Sequence, residues 1–190
     1  IKDWALRSPM HAERGEKTIN PFIADEGTAA HLVFEGKSEP VIEADEARRG
    51  AAWEEAKKHA ALVGGVALPK KPFGHAMAVG LSGRNNPAMA ACLSQDEVWY
   101  EASIYTKHPA TGLAIKCKPD VYLPNTGTLI DLKTTASAEP YNFTRSCHKF
   151  AYHLQAAFYR MVCREAGLRV NSFSILSQSK KSRHTRRSIS

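Results

Sequence analysis

Asp120 and the run Asp131-Leu132-Lys133 are the residues of this chain whose types and spacing could do chemistry together. Between them, Pro124-Asn125-Thr126-Gly127 has the composition of a turn. A turn centred between Asn125 and Thr126 makes an antiparallel hairpin whose facing residue numbers sum to 251, so Asp120 faces Asp131 and Lys118 faces Lys133. Facing side chains share one side of the sheet, with Cβ atoms roughly 4.5–5.5 Å apart. Two carboxylates at that separation repel unless one is protonated or a cation lies between them. A hard divalent cation such as Mg²⁺ resolves the repulsion, because it takes oxygen ligands and keeps water on its open positions. The Leu132 carbonyl supplies a further oxygen. Lys133 projects from the same face as Asp131, where it can orient an attacking water. Asp-x-Lys is also common on solvated strand faces. The apolar Leu129-Ile130 and the opposed Asp120 weigh against that reading, but on spacing alone both stay open.

The elements that must position these residues follow from periodicity and punctuation. Ala29, Leu32 and Val33 form an apolar stripe at helical spacing, which predicts a helix from about Asp25 to Glu35, ended by Gly36. An Ala-rich helix is expected from Ala44 to Val63, stopped by Gly64-Gly65, and Asn86-Pro87 opens a short helix through Leu93. Val98 to Tyr105, Leu113 to Leu123 and Thr128 to Leu132 are rich in branched and aromatic residues and predict a three-stranded meander. Lys149 to Ala166 reads as a helix closed by Gly167, and Val170 to Leu176 as a last strand. The expected class is α/β, a mixed sheet flanked by helices. A single domain is expected over residues 1–176, followed by a basic tail over 177–190.

Composition narrows the function classes. The 190 residues carry a formal charge of +7, and five of the Lys and Arg residues lie between Lys180 and Arg187. That charge suits a polyanionic partner, although without the tail only about +2 remains, so the tail reads equally well as an extension with no role. The four cysteines make no CxxC pair and read as reduced thiols of a cytoplasmic protein, not as a zinc or iron–sulfur site. No apolar run approaches the roughly 18 residues a membrane helix needs. The amino terminus, Ile1-Lys2-Asp3-Trp4, lacks the plan of a signal peptide and an initiator Met, as expected of a chain that begins inside a longer protein.

Four stretches, taken in order, resemble the PD-(D/E)xK nuclease superfamily, and more closely its RecE-type exodeoxyribonuclease VIII branch with the RecB-like relatives. They are Gly27-Thr28-Ala29-Ala30-His31, Lys116-Cys117-Lys118-Pro119-Asp120, Ile130-Asp131-Leu132-Lys133-Thr134-Thr135 and Tyr152-His153-Leu154-Gln155-Ala156-Ala157-Phe158-Tyr159. The resemblance implies a restriction-endonuclease-like core and Mg²⁺, with Mn²⁺ as a substitute, held by His31, Asp120, Asp131 and the Leu132 carbonyl. Lys133 would serve the attacking water, with Gln155 and Tyr159 beside it or on the DNA backbone. It further implies 5′→3′ digestion of linear double-stranded DNA from its ends to mononucleotides, in recombination or repair. Relatives form ring-like homo-oligomers and work with a single-strand annealing recombinase. Glu101 is left between a role at the metal and an ordinary salt bridge, and Arg7 or Arg14 between a 5′-phosphate and solvent. Gly27, one turn before His31 on the same face, is expected to let the helix backbone approach the sheet closely. Two alternatives remain: an endonuclease of the same superfamily, and a DNA-binding module without catalysis.

Overall fold

The computed structural model describes residues 21–44 and 48–179. The basic tail from Lys180 onward, and Trp4, Arg7, His11 and Arg14, lie outside the described residues. The described residues form two units. The first is built from Asn86–Lys133 and Glu139–Leu176, the second from Asp25–Asn85, Thr134–Ala138 and 177–179.

Helix α1 (Pro21–Phe34) enters the second unit at Asp25 and is followed there by strand β1 (Val41–Ala44), helix α2 (Ala51–Leu62), strand β2 (Val66–Pro69) and helix α3 (Lys70–Arg84). β1 and β2 pair in parallel, Val41 with Val66 through Ala44 with Pro69, and α2 is the crossover that parallel pairing requires. The expected helix over Ala44 to Val63 is therefore shorter, because Ala44 closes a strand and α2 begins only after Gly50. β1, β2 and α3 were not foreseen. α1 starts four residues earlier than its apolar stripe suggests. Its C-terminus follows the expected plan: Gly36 takes a φ of +85°, and the Arg84 guanidinium donates 2.9 Å to the Phe34 carbonyl.

Small residues let this unit close. A Cβ on Gly80 would lie 2.6 Å from Val33 Cβ and 2.7 Å from the Ala30 carbonyl oxygen, so α1 and α3 meet at a position only glycine allows. Gly27 has no such role, since a Cβ there meets nothing within 4 Å; its open position corrects the expectation drawn from the motif. Gly65 is tighter still, its Cβ position lying 1.8 Å from the Pro40 carbonyl oxygen, a backbone atom that cannot rotate away. Gly65→Ala is expected to lower stability by about 3 kcal/mol, read as a fall in the urea midpoint at unchanged slope. An unchanged midpoint would refute this close approach of β2 to the Pro40 turn.

In the first unit, the Asn86 side chain caps helix α4 (Pro87–Leu93) by accepting from the amides of Ala88 and Met89 at 3.1 and 3.3 Å. Then come β3 (Trp99–Tyr100), β4 (Ile104–Lys107), β5 (Ala114–Cys117), β6 (Val121–Leu123), β7 (Thr128–Thr135), α5 (Pro140–Lys149), α6 (Tyr152–Glu165) and β8 (Ser172–Ser179). The four-stranded sheet has the order β3-β6-β7-β8, while β4 and β5 form a separate antiparallel hairpin. The expected three-stranded meander is thus divided. Glu101 takes a φ of +51° and ends β3, and Pro119, which has no N–H to donate, separates β5 from β6. The expected helix from Lys149 begins only at Tyr152, after Ala151 with its φ of +51°, and the helix before it, α5, was not foreseen. The last strand runs Ser172–Ser179, not Val170 to Leu176.

The hairpin register is the one the turn predicts: Val121 pairs with Ile130, Tyr122 with Leu129 and Leu123 with Thr128. Leu129, Ile130, Asp131 and Leu132 are all buried, so both faces of β7 are covered. Tyr122, Leu129, Val162, Cys163 and Val170 form the core beside β7, with Trp99 and Phe173 packed against them. All four cysteines are free, and the buried thiols of Cys117 and Cys163 touch at 3.6 Å. The class is mixed α/β: β1 and β2 pair in parallel, β6 runs antiparallel to both β3 and β7, and β8 runs in the same direction as β7, with Ser172 beside Thr128 and Ser179 beside Ala136.

Candidate active site

One step past the Val121–Ile130 pair, the same register sets Asp120 opposite Asp131. Both carboxylates are buried, at 8% and 3% exposure, in a chain whose other described acids, Glu35 apart, reach solvent more freely. Burying a carboxylate is costly unless its charge is met by hydrogen bonds and cations. Each oxygen environment here is specific. Asp120 Oδ2 accepts from the Leu132 amide at 2.5 Å, a contact that crosses the hairpin. Asp131 Oδ1 accepts from Gln155 Nε2 at 2.7 Å, and Asp131 Oδ2 lies 2.5 Å from the Lys133 ammonium. In an extended strand the N–H and C=O of one residue point to the same edge. The Leu132 carbonyl therefore points toward the edge where its amide meets Asp120.

Gln155 is delivered by α6. Its amide nitrogen carries two protons, one directed at Asp131, and the side chain also hydrogen-bonds the Tyr159 hydroxyl. Burial pushes the Tyr159 phenol above its ordinary pKa; the Gln155 hydrogen bond opposes the shift, and Asp131 and Asp120 add to it. Tyr159 is accordingly a neutral O–H. Its ring packs edge-on against Phe173 at 6.2 Å and belongs to the core. Gln155 thus meets Asp131 and not Lys133, while Tyr159 serves mainly as packing with its hydroxyl turned toward Gln155.

Glu101 joins the site through the break that its own backbone makes. Its amide donates 3.1 Å to the Asp120 carbonyl, its carboxylate pairs with the Lys118 ammonium, and one of its carboxylate oxygens lies within 4.8 Å of one of Asp120. Of the two options left open for Glu101, the salt bridge is present, with Lys118 as its partner. Lys118 falls outside the β6–β7 ladder and meets Glu101, not Lys133. Tyr152 is the residue that sequence reasoning passed over. The Lys133 ammonium lies 5.0 Å from its ring centroid, a cation–π contact that steadies the lysine. Burial, and after it the Asp131 charge, raises the Tyr152 phenol pKa. The signal was available: Tyr152 lies three residues before Gln155 on the same helix face. His31 lies half-buried on α1, in the second unit.

The donor set tests whether a metal fits. Within the first unit, Asp120, Asp131 and Glu101 with the Leu132 carbonyl offer oxygen donors, the chemistry of a hard divalent cation and not of a thiolate-seeking metal.

A family model described as a PDDEXK-like domain of unknown function (DUF3799) matches residues 26–190. The chain belongs to this family. The match spans the hairpin, Gln155 and α5, and no curated protein matches the chain. A PDDEXK-like domain points to a nuclease, a hydrolase class that typically depends on a divalent metal. Among the described residues of this PDDEXK-like domain, no helix is long and apolar enough to cross a membrane.

Proposed function

We propose that this PDDEXK-like domain is a Mg²⁺-dependent deoxyribonuclease that digests linear double-stranded DNA from its ends. The observation that carries the reading is Asp131 itself, 3% exposed and held between Gln155 and Lys133 in a register that brings Asp120 opposite. Asp120, Asp131 and the Leu132 carbonyl would hold the ion, with Glu101 at its edge. When bound, Mg²⁺ supplies Lewis-acid polarisation of the scissile phosphate and a more acidic water. The chain's own groups do the rest. The Leu132 amide and Gln155 fix one oxygen of each carboxylate, leaving little reorganisation for the reaction step. The Lys133 ammonium, steadied by Tyr152, offers a positive charge where the pentacovalent phosphate gains negative charge. The 5′→3′ direction, release of mononucleotides, ring-like self-association and an annealing partner in recombination or repair rest on the resemblance to the RecE-type branch.

Incubation with linear and covalently closed duplex DNA, in Mg²⁺ and in EDTA, tests the proposal. Loss of the linear form alone, with mononucleotide product, is expected in Mg²⁺ only. Cutting of the closed circle would make the domain an endonuclease, and degradation in EDTA would remove the metal from the mechanism.

Gln155→Leu tests the positioning of Asp131. Removing a group that orients a metal ligand typically costs about 10–100-fold in metal affinity or activity. The Mg²⁺ concentration giving half-maximal rate should rise by about that factor, with much of the rate recovered at saturating Mg²⁺. An unchanged Mg²⁺ dependence would leave Gln155 as packing.

A further inference from the structure

Helix α5 buries none of its residues, has no acidic residue and ends on His148 and Lys149. A helix that only packs on a domain shows one solvated polar face and one buried apolar face; α5 departs from that plan on its solvated side. Tyr141, Arg145 and His148 recur at i, i+4 and i+7, so they form one exposed stripe, with Tyr141 at 75% exposure. Lys149 continues the stripe to the corner before α6, where its ammonium lies 5.5 Å from the ring centroid of the exposed Phe150.

The other side of α5 leads to the active site. Half-buried Phe143 lies 6.2 Å from the Tyr152 ring, and Tyr152 carries the Lys133 ammonium. One helix thickness therefore separates the stripe from the residues that hold Lys133, about 10 Å. From Tyr141 to Lys149 the helix rises about 12 Å, room for a short run of nucleotides.

We infer that this stripe is the platform for a single-stranded DNA segment, stacked on Tyr141 and held through its phosphates by Arg145 and Lys149. The inference rests on the deoxyribonuclease reading, for which it names the form of the strand that reaches the metal. An aromatic ring presents its face to any unpaired base, while the cations follow the backbone, and together they bind single strands without reading sequence. A base inside a duplex has both faces stacked on its neighbours, so Tyr141 favours the separated strand over the duplex. Arg145 and Lys149 meet phosphates in either form.

The test reads binding in the full chain, without turnover. Wild type in EDTA is titrated into a fluorescein-labelled oligo(dT) and into a blunt duplex of equal length, at two salt concentrations, with anisotropy as the signal. Tyr141→Ala should weaken oligo(dT) binding about tenfold and leave the duplex within about twofold, whereas Tyr141→Phe keeps the ring and the affinity. Arg145→Gln should weaken both and reduce the salt slope by about one. Neither side chain is buried, so all three variants should melt with wild type. No oligo(dT) binding by wild type, unchanged affinity in Tyr141→Ala, or equal losses in Tyr141→Ala and Tyr141→Phe would overturn the inference. Absence of DNA hydrolysis alongside these affinity losses would sink the nuclease reading alone; normal hydrolysis with unaltered binding would sink the platform alone.

Discussion

Asp131→Asn is expected to reduce hydrolysis of linear DNA by about a thousandfold or more, while leaving the metal-free protein at least as stable as wild type. The two halves of that expectation come from one geometry. Asparagine matches aspartate in shape and keeps an oxygen that can accept from Gln155, so the 2.7 Å contact survives. What disappears is a negative charge at 3% exposure, set opposite another carboxylate at 8%. Like charges at facing positions destabilise a sheet, so without metal their removal offsets the loss of the Lys133 ion pair. With metal the balance reverses, because a neutral amide is a poor partner for Mg²⁺. Wild type should therefore melt higher as Mg²⁺ is added, in the way any ligand that binds only the folded state raises stability, and Asp131→Asn should show little or no rise. Thermal melts with and without Mg²⁺, alongside the rate, decide the matter. A variant that loses several degrees without metal and keeps most of its rate would make Asp131 a structural ion-pair partner instead.

The hairpin carrying these residues was legible because its determinants are local. A four-residue turn between branched runs specifies one register, and a slip by one residue would turn the buried Leu129 and Asp131 to the opposite face. Gly36 and Asn86 were legible for the same reason, each ending or starting a helix through its own backbone or side chain. The second unit was not. β1 and β2 are four residues each and, among the described residues, pair with one another across α2, so their signal is non-local, and Ala44 with the Ala-rich run after it reads as continuous helix. α3 carries Gly74, Gly80 and Gly83, which lower helix propensity, and only the approach of Val33 shows what Gly80 is for. At the site, the face shared by Asp120 and Asp131 could be read from alternation. The partners of Glu101, Lys118 and Gln155 could not, because each depends on where a broken strand or a separate helix brings the side chain.

Lys133→Met separates the lysine's charge from its packing and predicts a different pattern from the loss of Asp131. The methionine side chain can still lie against the Tyr152 ring, where the ammonium now sits 5.0 Å from the centroid. Asp131 Oδ2 loses the cation at 2.5 Å and remains buried. Without metal, two facing carboxylates then have one ammonium fewer beside them, and the variant should melt below wild type. With Mg²⁺ the order reverses. The ammonium and the metal compete for the same negative charge, so its removal should leave Mg²⁺ affinity unchanged or tighter, and the rise in melting temperature on adding Mg²⁺ should exceed that of wild type. The rate should nonetheless fall about 100–1,000-fold, the loss typical when a group that stabilises transition-state charge is removed. Tight metal binding combined with a lost rate is what a role in the reaction step predicts for Lys133. Weakened Mg²⁺ binding in proportion to the lost rate would instead assign the lysine to building the metal site, and a retained rate would remove it from the mechanism.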